Sequence, residues 1–192
     1  MSRFLESLKY LKKQLNTSTE QTVARILFNY SIKIATAESC TGGLLSSRLT
    51  DIAGSSSYTK ENFITYANEA KMELLGVSAE TLEKFGAVSE ECALEMAEGL
   101  YKKTVCDVAI STTGVAGPTT PEAGKPVGLV YVAIKNKYTS EVKKFEINPH
   151  HSRKIIKFLF TQAALEFLIE FLTENYINAI QQLSQSTNQD TV

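Results

Sequence analysis

The run Ile32 to Leu45 constrains the fold more than any other part of the chain. Ile32-Lys33-Ile34-Ala35-Thr36 alternates as a β-branched strand does, the pattern stops at Ser39, and Gly42-Gly43 open an apolar helical run at Leu44. A strand-turn-helix unit of this kind can carry Ser39 Oγ beyond the sheet, with the N–H groups of the helix start directed at the same place. One segment then supplies a candidate nucleophile and an anion hole. The plainer alternative is that Ser39 caps the helix.

The rest of the pattern extends that unit into a domain. Phe4, Leu5, Leu8, Leu11 and Leu15 form one helical face within Arg3 to Leu15, and Glu20 to Tyr30 and Leu44 to Ile52 read as further helices. Asn68 is expected to cap a helix over Glu69 to Leu75 that stops at Gly76, while Ser78 opens one ending near Gly86 and Ser89 opens the next. Strands are expected at Ile32 to Thr36, Phe63 to Tyr66, Val105 to Thr112, Val127 to Lys135 and Val142 to Ile147, the last two a hairpin through Asn136 and Lys137. Glu166, Glu170 and Glu174 recur every four residues in Ile155 to Ile180, which makes that segment an amphipathic core helix rather than a membrane span. The fold class is therefore α/β: a single three-layer domain with a mixed sheet flanked by helices. Three parts are expected: an amphipathic helix in 1–20, the domain in 21–180, and a polar, frayed tail in 181–192.

With 192 residues, 43% of them hydrophobic, the chain can build one substantial core. A formal net charge of -1 gives no electrostatic footprint for nucleic acid or an anionic membrane, so a small molecule is the favoured partner. Cys40, Cys92 and Cys106 lack the short paired spacings of zinc sites or a disulfide framework, and no export leader precedes them, which points to the cytoplasm.

A serine nucleophile needs a base. The only histidines, His150 and His151, are adjacent and follow Pro149 in a loop, so a Ser-His-Asp triad has no support. Lys71 is the alternative, placed early in the helix after Asn68, where the dipole disfavours a cation. Taken alone, and beside Glu69 and Glu73, it reads better as a solvated surface lysine. Ser39, Tyr66 and Thr113 each follow an expected strand, and open α/β sheets bind ligands beyond the carboxyl ends of their strands.

Seven blocks occur in order: Thr36-Ala37-Glu38-Ser39-Cys40-Thr41-Gly42-Gly43, Asp51-Ile52-Ala53-Gly54-Ser55-Ser56, Thr65-Tyr66-Ala67-Asn68-Glu69-Ala70-Lys71, Leu75-Gly76-Val77, Gly86-Ala87-Val88-Ser89, Thr113-Gly114-Val115-Ala116-Gly117-Pro118 and Lys125-Pro126-Val127-Gly128. From Gln21 to Phe171 the chain resembles the C-terminal domain of the competence/damage-inducible protein CinA, a family that includes stand-alone nicotinamide-nucleotide amidases. The resemblance implies a cytoplasmic serine-lysine amidase that hydrolyses nicotinamide mononucleotide to nicotinate mononucleotide and ammonia, in pyridine nucleotide recycling toward NAD. On that resemblance Ser39 is the nucleophile, Lys71 the general base and Tyr66 an aid to proton transfer. Thr41, Gly42, Thr113, Gly114, Gly117 and Arg153 are the implied substrate contacts, Arg153 facing the phosphate; neither metal nor cofactor is implied. Two departures stand out: His151-Ser152 precede Arg153 where the family often has Gly-Asp, and Thr119 to Gly124 is less glycine-rich than usual. The N-terminal nucleotide pyrophosphatase domain of full-length relatives does not fit within this length, so that activity is expected to be absent. A homo-oligomer is expected, with the N-terminal helix packed on a second subunit. The competing reading is a catalytically silent homologue that binds a pyridine nucleotide or a protein partner.

Overall fold

A computed structural model describes residues 18–120 and 124–177. The helix expected near the N-terminus and the polar tail lie outside these residues. The elements run α1 (Thr19–Asn29), β1 (Ile34–Glu38), α2 (Leu44–Thr50), a 3-10 turn (Ser55–Ser57), β2 (Thr59–Ile64), α3 (Asn68–Leu75), α4 (Ala79–Phe85), α5 (Glu90–Lys103), β3 (Val108–Gly114), β4 (Leu129–Asn136), β5 (Ser140–Glu146) and α6 (Arg153–Leu172), closed by a π turn (Thr173–Ile177). The sheet order is β2-β1-β3-β4-β5; β1 pairs parallel with β2 and β3, and β3-β4 and β4-β5 are antiparallel. This is the mixed α/β sheet expected from the alternation of elements.

The two faces of the sheet carry different side chains, and this decides which helices they accept. Ile34, Val108, Ile110, Val130, Val132 and Ile134 pack against α1, α2 and α6 in one large apolar cluster that includes Phe160, Phe167 and Phe171. Each such phenylalanine contributes about 1.5–3 kcal/mol by leaving water. The opposite face is lined by Ala35, Ala37, Ala109 and Ala133, whose small side chains let α5 lie close through Ala93, Ala97 and Met96. Ser111 Oγ bridges that approach by donating to Ala93 O at 2.6 Å. Among the described residues no helix is long and apolar enough to cross a membrane.

Several boundaries differ from the sequence pattern for identifiable reasons. β1 begins at Ile34 rather than Ile32 because the Ile32 amide bonds Leu27 O at the end of α1 and the Lys33 amide bonds Asp107 Oδ2, so neither joins the ladder. β2 covers Thr59–Ile64 rather than Phe63 to Tyr66; it is a polar edge strand whose first residues carry no apolar alternation. Asn68 is the first helical residue of α3 and not its cap, a place taken by Ala67, which makes no side-chain capping bond. Gly76 stops α3 in the left-handed conformation, and Ser78 and Ser89 cap α4 and α5 through the amides of Thr81 and Cys92.

Candidate active site

Parallel pairing brings the carboxyl ends of β1, β2 and β3 to one edge. The Ser39 amide extends the ladder by donating to Thr112 O at 3.0 Å, and the Thr65 amide donates to Glu38 O at 2.8 Å. The chain then reverses over residues 39–42, with Gly42 N donating to Ser39 O at 3.1 Å. Gly42 and Gly43 have φ of 61° and 89°, a left-handed pair that glycine adopts without a Cβ penalty.

The amides at the start of α2 do not face Ser39. They close on Glu38, whose side chain is fully buried and whose Oε2 accepts from Gly43 N and Leu45 N at 3.0 Å each. Its Oε1 accepts from Ser46 N at 2.8 Å and from Ser46 Oγ, which in turn pairs with Thr36 Oγ1 at 2.7 Å. The anion hole expected at the helix start is therefore occupied by the protein's own carboxylate, which satisfies the orphan amides and complements the dipole. The amides of Cys40 and Thr41, in the turn itself, make no hydrogen bond with other described residues.

Lys71 reaches this turn from α3. Only 1% of it is exposed, and its Nζ lies 3.1 Å from Ser39 Oγ, 3.0 Å from Thr65 O and 3.2 Å from Tyr66 O. These three acceptors match the three N–H donors of an ammonium, and after loss of a proton the two carbonyls still hold the two remaining N–H groups while the lone pair faces the serine hydroxyl. The solvated-lysine alternative does not hold, because α3 turns this residue inward while Glu69 and Glu73 face outward. Ser39 and Lys71 both line a cavity of about 610 Å3, together with Tyr66, Thr113, Gly114, Gly117 and Arg153. That volume lies within the ordinary range of small-molecule sites, about 300–1,000 Å3.

Residues 16–172 match the CinA C-terminal domain. The chain belongs to the CinA C-terminal domain family. It is 46% identical over 162 residues to a CinA-like protein of Chlorobium limicola, covering 83% of this chain and 38% of that protein. It thus spans well under half the length of such curated relatives. Among solved structures it resembles the competence/damage inducible protein CihA of Agrobacterium tumefaciens at 40% identity and a TM-score of 0.74, covering 79% of this chain and 94% of that one. A competence-damaged protein (CinA) superfamily member from Klebsiella pneumoniae gives 32% identity and a TM-score of 0.78, covering 82% of this chain and 99% of that one.

In this CinA domain not every expected contact faces the cavity. Thr41 is fully buried and its hydroxyl pairs with Thr112 Oγ1 at 2.8 Å, so its side chain ties the turn after β1 to β3. Gly42 lines a neighbouring cavity instead. Thr113 is 1% exposed and donates to Ala87 O at 2.6 Å, which ties the end of β3 to the loop before α5. Gly114 is required by packing, since a Cβ there would lie 2.4 Å from Leu129 O. Tyr66 is 61% exposed, and its hydroxyl accepts from Arg153 Nη2 at 2.9 Å while Arg153 Nη1 donates to Gly117 O. Cys40 lines the cavity beside Ser39, yet burial pushes its thiol up to about 12 and Glu38 adds to the rise, outweighing the opposite pull of Lys71 and Lys157. A thiol so raised is a poor nucleophile at neutral pH. Neither His150 nor His151 lines the cavity.

Sequence reasoning missed Glu38 and the neighbouring cavity. The signal for Glu38 was present, an acidic residue directly ahead of a helix start, but Ser39 beside it drew the capping argument. Nothing in the sequence brings residues 42–47 and 153–158 together.

Proposed function

We propose that this domain is an amidase that hydrolyses nicotinamide mononucleotide to nicotinate mononucleotide and ammonia. The observation that carries the reading is the buried contact between Lys71 Nζ and Ser39 Oγ at 3.1 Å on the wall of a substrate-sized cavity. Membership of the CinA family supports it, because the residues of the implied serine-lysine pair fall on the two members of that contact.

The chemistry follows from the geometry. The neutral amine takes the Ser39 proton as Oγ attacks the carboxamide carbon, and negative charge moves to the amide oxygen. The Cys40 and Thr41 amides are the donors available for that oxygen, each worth about 3 kcal/mol when well aimed. The Lys71 ammonium then protonates the leaving nitrogen, ammonia departs, and an ester remains on Ser39. Water, deprotonated by Lys71, attacks the ester and releases the carboxylate. Tyr66 contributes a carbonyl that orients Lys71, and its phenol is held by Arg153 at the mouth.

Ammonia release from nicotinamide mononucleotide by the purified protein tests this reading. Turnover by the parent protein that disappears in Ser39→Ala supports it. Tight binding of the nucleotide without turnover at any pH would favour the silent binding protein instead.

A further inference from the structure

A second cavity of about 680 Å3 adjoins the first, and Arg153 lines both. Gly42, Gly43 and Ser47 form one wall, and Lys154, Lys157 and Phe158 from α6 form the other. With Arg153, its lining carries three cations and no carboxylate. Lys154 and Lys157 make no hydrogen bond or ion pair with other described residues, whereas Arg153 spends both terminal nitrogens on Gly117 O and the Tyr66 hydroxyl. These two bonds use two of the five guanidinium N–H groups and fix Arg153 between the chambers, whereas the two lysine ammoniums have no protein partner among the described residues.

Lys157 is the distinctive member. It is half-buried, and a side-chain carbon at residue 42 would sit 3.1 Å from its Nζ, so glycine at 42 is what lets the ammonium lie against the turn that carries Ser39. Its charge is felt at Cys40, next to the nucleophile. With no hydrogen bond or ion pair to any described residue, this ammonium is open to an anion that enters the cavity.

Taking the amidase reading as given, we propose that this second cavity is the anion subsite for a phosphomonoester on the substrate, held by Lys157 with Lys154, while the carboxamide lies at Ser39. Arg153 then acts as the post between the two chambers. The domain selects a phosphorylated nucleotide over the corresponding nucleoside through Lys157.

The test compares the parent protein with Lys157→Gln and Lys157→Met, using nicotinamide mononucleotide and nicotinamide riboside. Loss of one charge-assisted contact is expected to raise KM for the nucleotide about tenfold or more, with kcat within about twofold, because binding common to ground and transition states is removed. KM for the riboside stays unchanged. A second arm measures binding of the nucleotide and of inorganic phosphate by calorimetry in a Ser39→Ala background, where Lys157→Gln weakens both. This arm decides the subsite even if the parent protein releases no ammonia, an outcome that would sink the amidase reading alone. Unaltered nucleotide affinity in the Lys157 variants, or an equal loss with the riboside, overturns the proposal.

Discussion

Replacing Glu38 by glutamine keeps the shape of the side chain and removes the acceptor that organises the turn. In the parent protein Oε2 takes the amides of Gly43 and Leu45, and Oε1 takes the amide and hydroxyl of Ser46. Glutamine offers one carbonyl oxygen, best spent on Gly43 and Leu45, and its NH2 then faces the Ser46 amide donor to donor. The Ser46 hydroxyl can reverse and accept, but one buried amide is stranded and the remaining bonds lose their charge assistance. Hydrogen bonds to charged groups are worth about 1.5–3 kcal/mol each, so Glu38→Gln is expected to cost about 3 kcal/mol. For a domain of this size that corresponds to a fall in Tm of about 6–12 °C. Thermal melting followed by circular dichroism measures it, and ammonia release should fall with it because the same turn positions Ser39. A Tm within about 2 °C of the parent would refute the claim that this carboxylate holds the helix start.

Cys40 should resist alkylation by iodoacetamide at pH 8 in the folded protein, since a thiol raised to about 12 stays protonated until far more alkaline pH; mass spectrometry of the modified peptides reads this, and labelling as fast as in denaturant would contradict it. Cys40→Ala is expected to retain ammonia release, which separates the thiol from the neighbouring hydroxyl. Gly99→Ala places a Cβ 1.7 Å from Leu75 O and must push α5 away from α3. It should lower stability by about 1–3 kcal/mol in urea unfolding and reduce turnover by displacing Lys71; wild-type values for both would show that the helices part without strain.

The sequence made some of this legible and hid the rest for physical reasons. Serine caps and glycine stops are local, and Ser78, Ser89 and Gly76 act where the pattern placed them. β2 escaped exact reading because an edge strand with Thr59-Lys60-Glu61-Asn62 has no apolar face to reveal it. At the site, the strand ends at Ser39, Tyr66 and Thr113 were visible as positions, but their side chains do different work: Thr113 ties a loop and Tyr66 reaches Arg153. Lys71 gave no local sign of burial, because its inward direction depends on how α3 docks. The anion hole was misplaced because Glu38, one residue ahead of the turn, folds forward onto the helix.

The account rests on Ser39 and Lys71 acting as one unit, and initial rates of ammonia release from nicotinamide mononucleotide by Ser39→Ala, Lys71→Arg and the double variant test that directly. Residues that work as a unit give non-additive losses, so each single change is expected to lower kcat by about 10³-fold or more and the double change by no further factor. A guanidinium at 71 stays protonated and cannot accept the serine proton. Substantial turnover in either single variant, or losses that multiply in the double variant, would contradict the pairing.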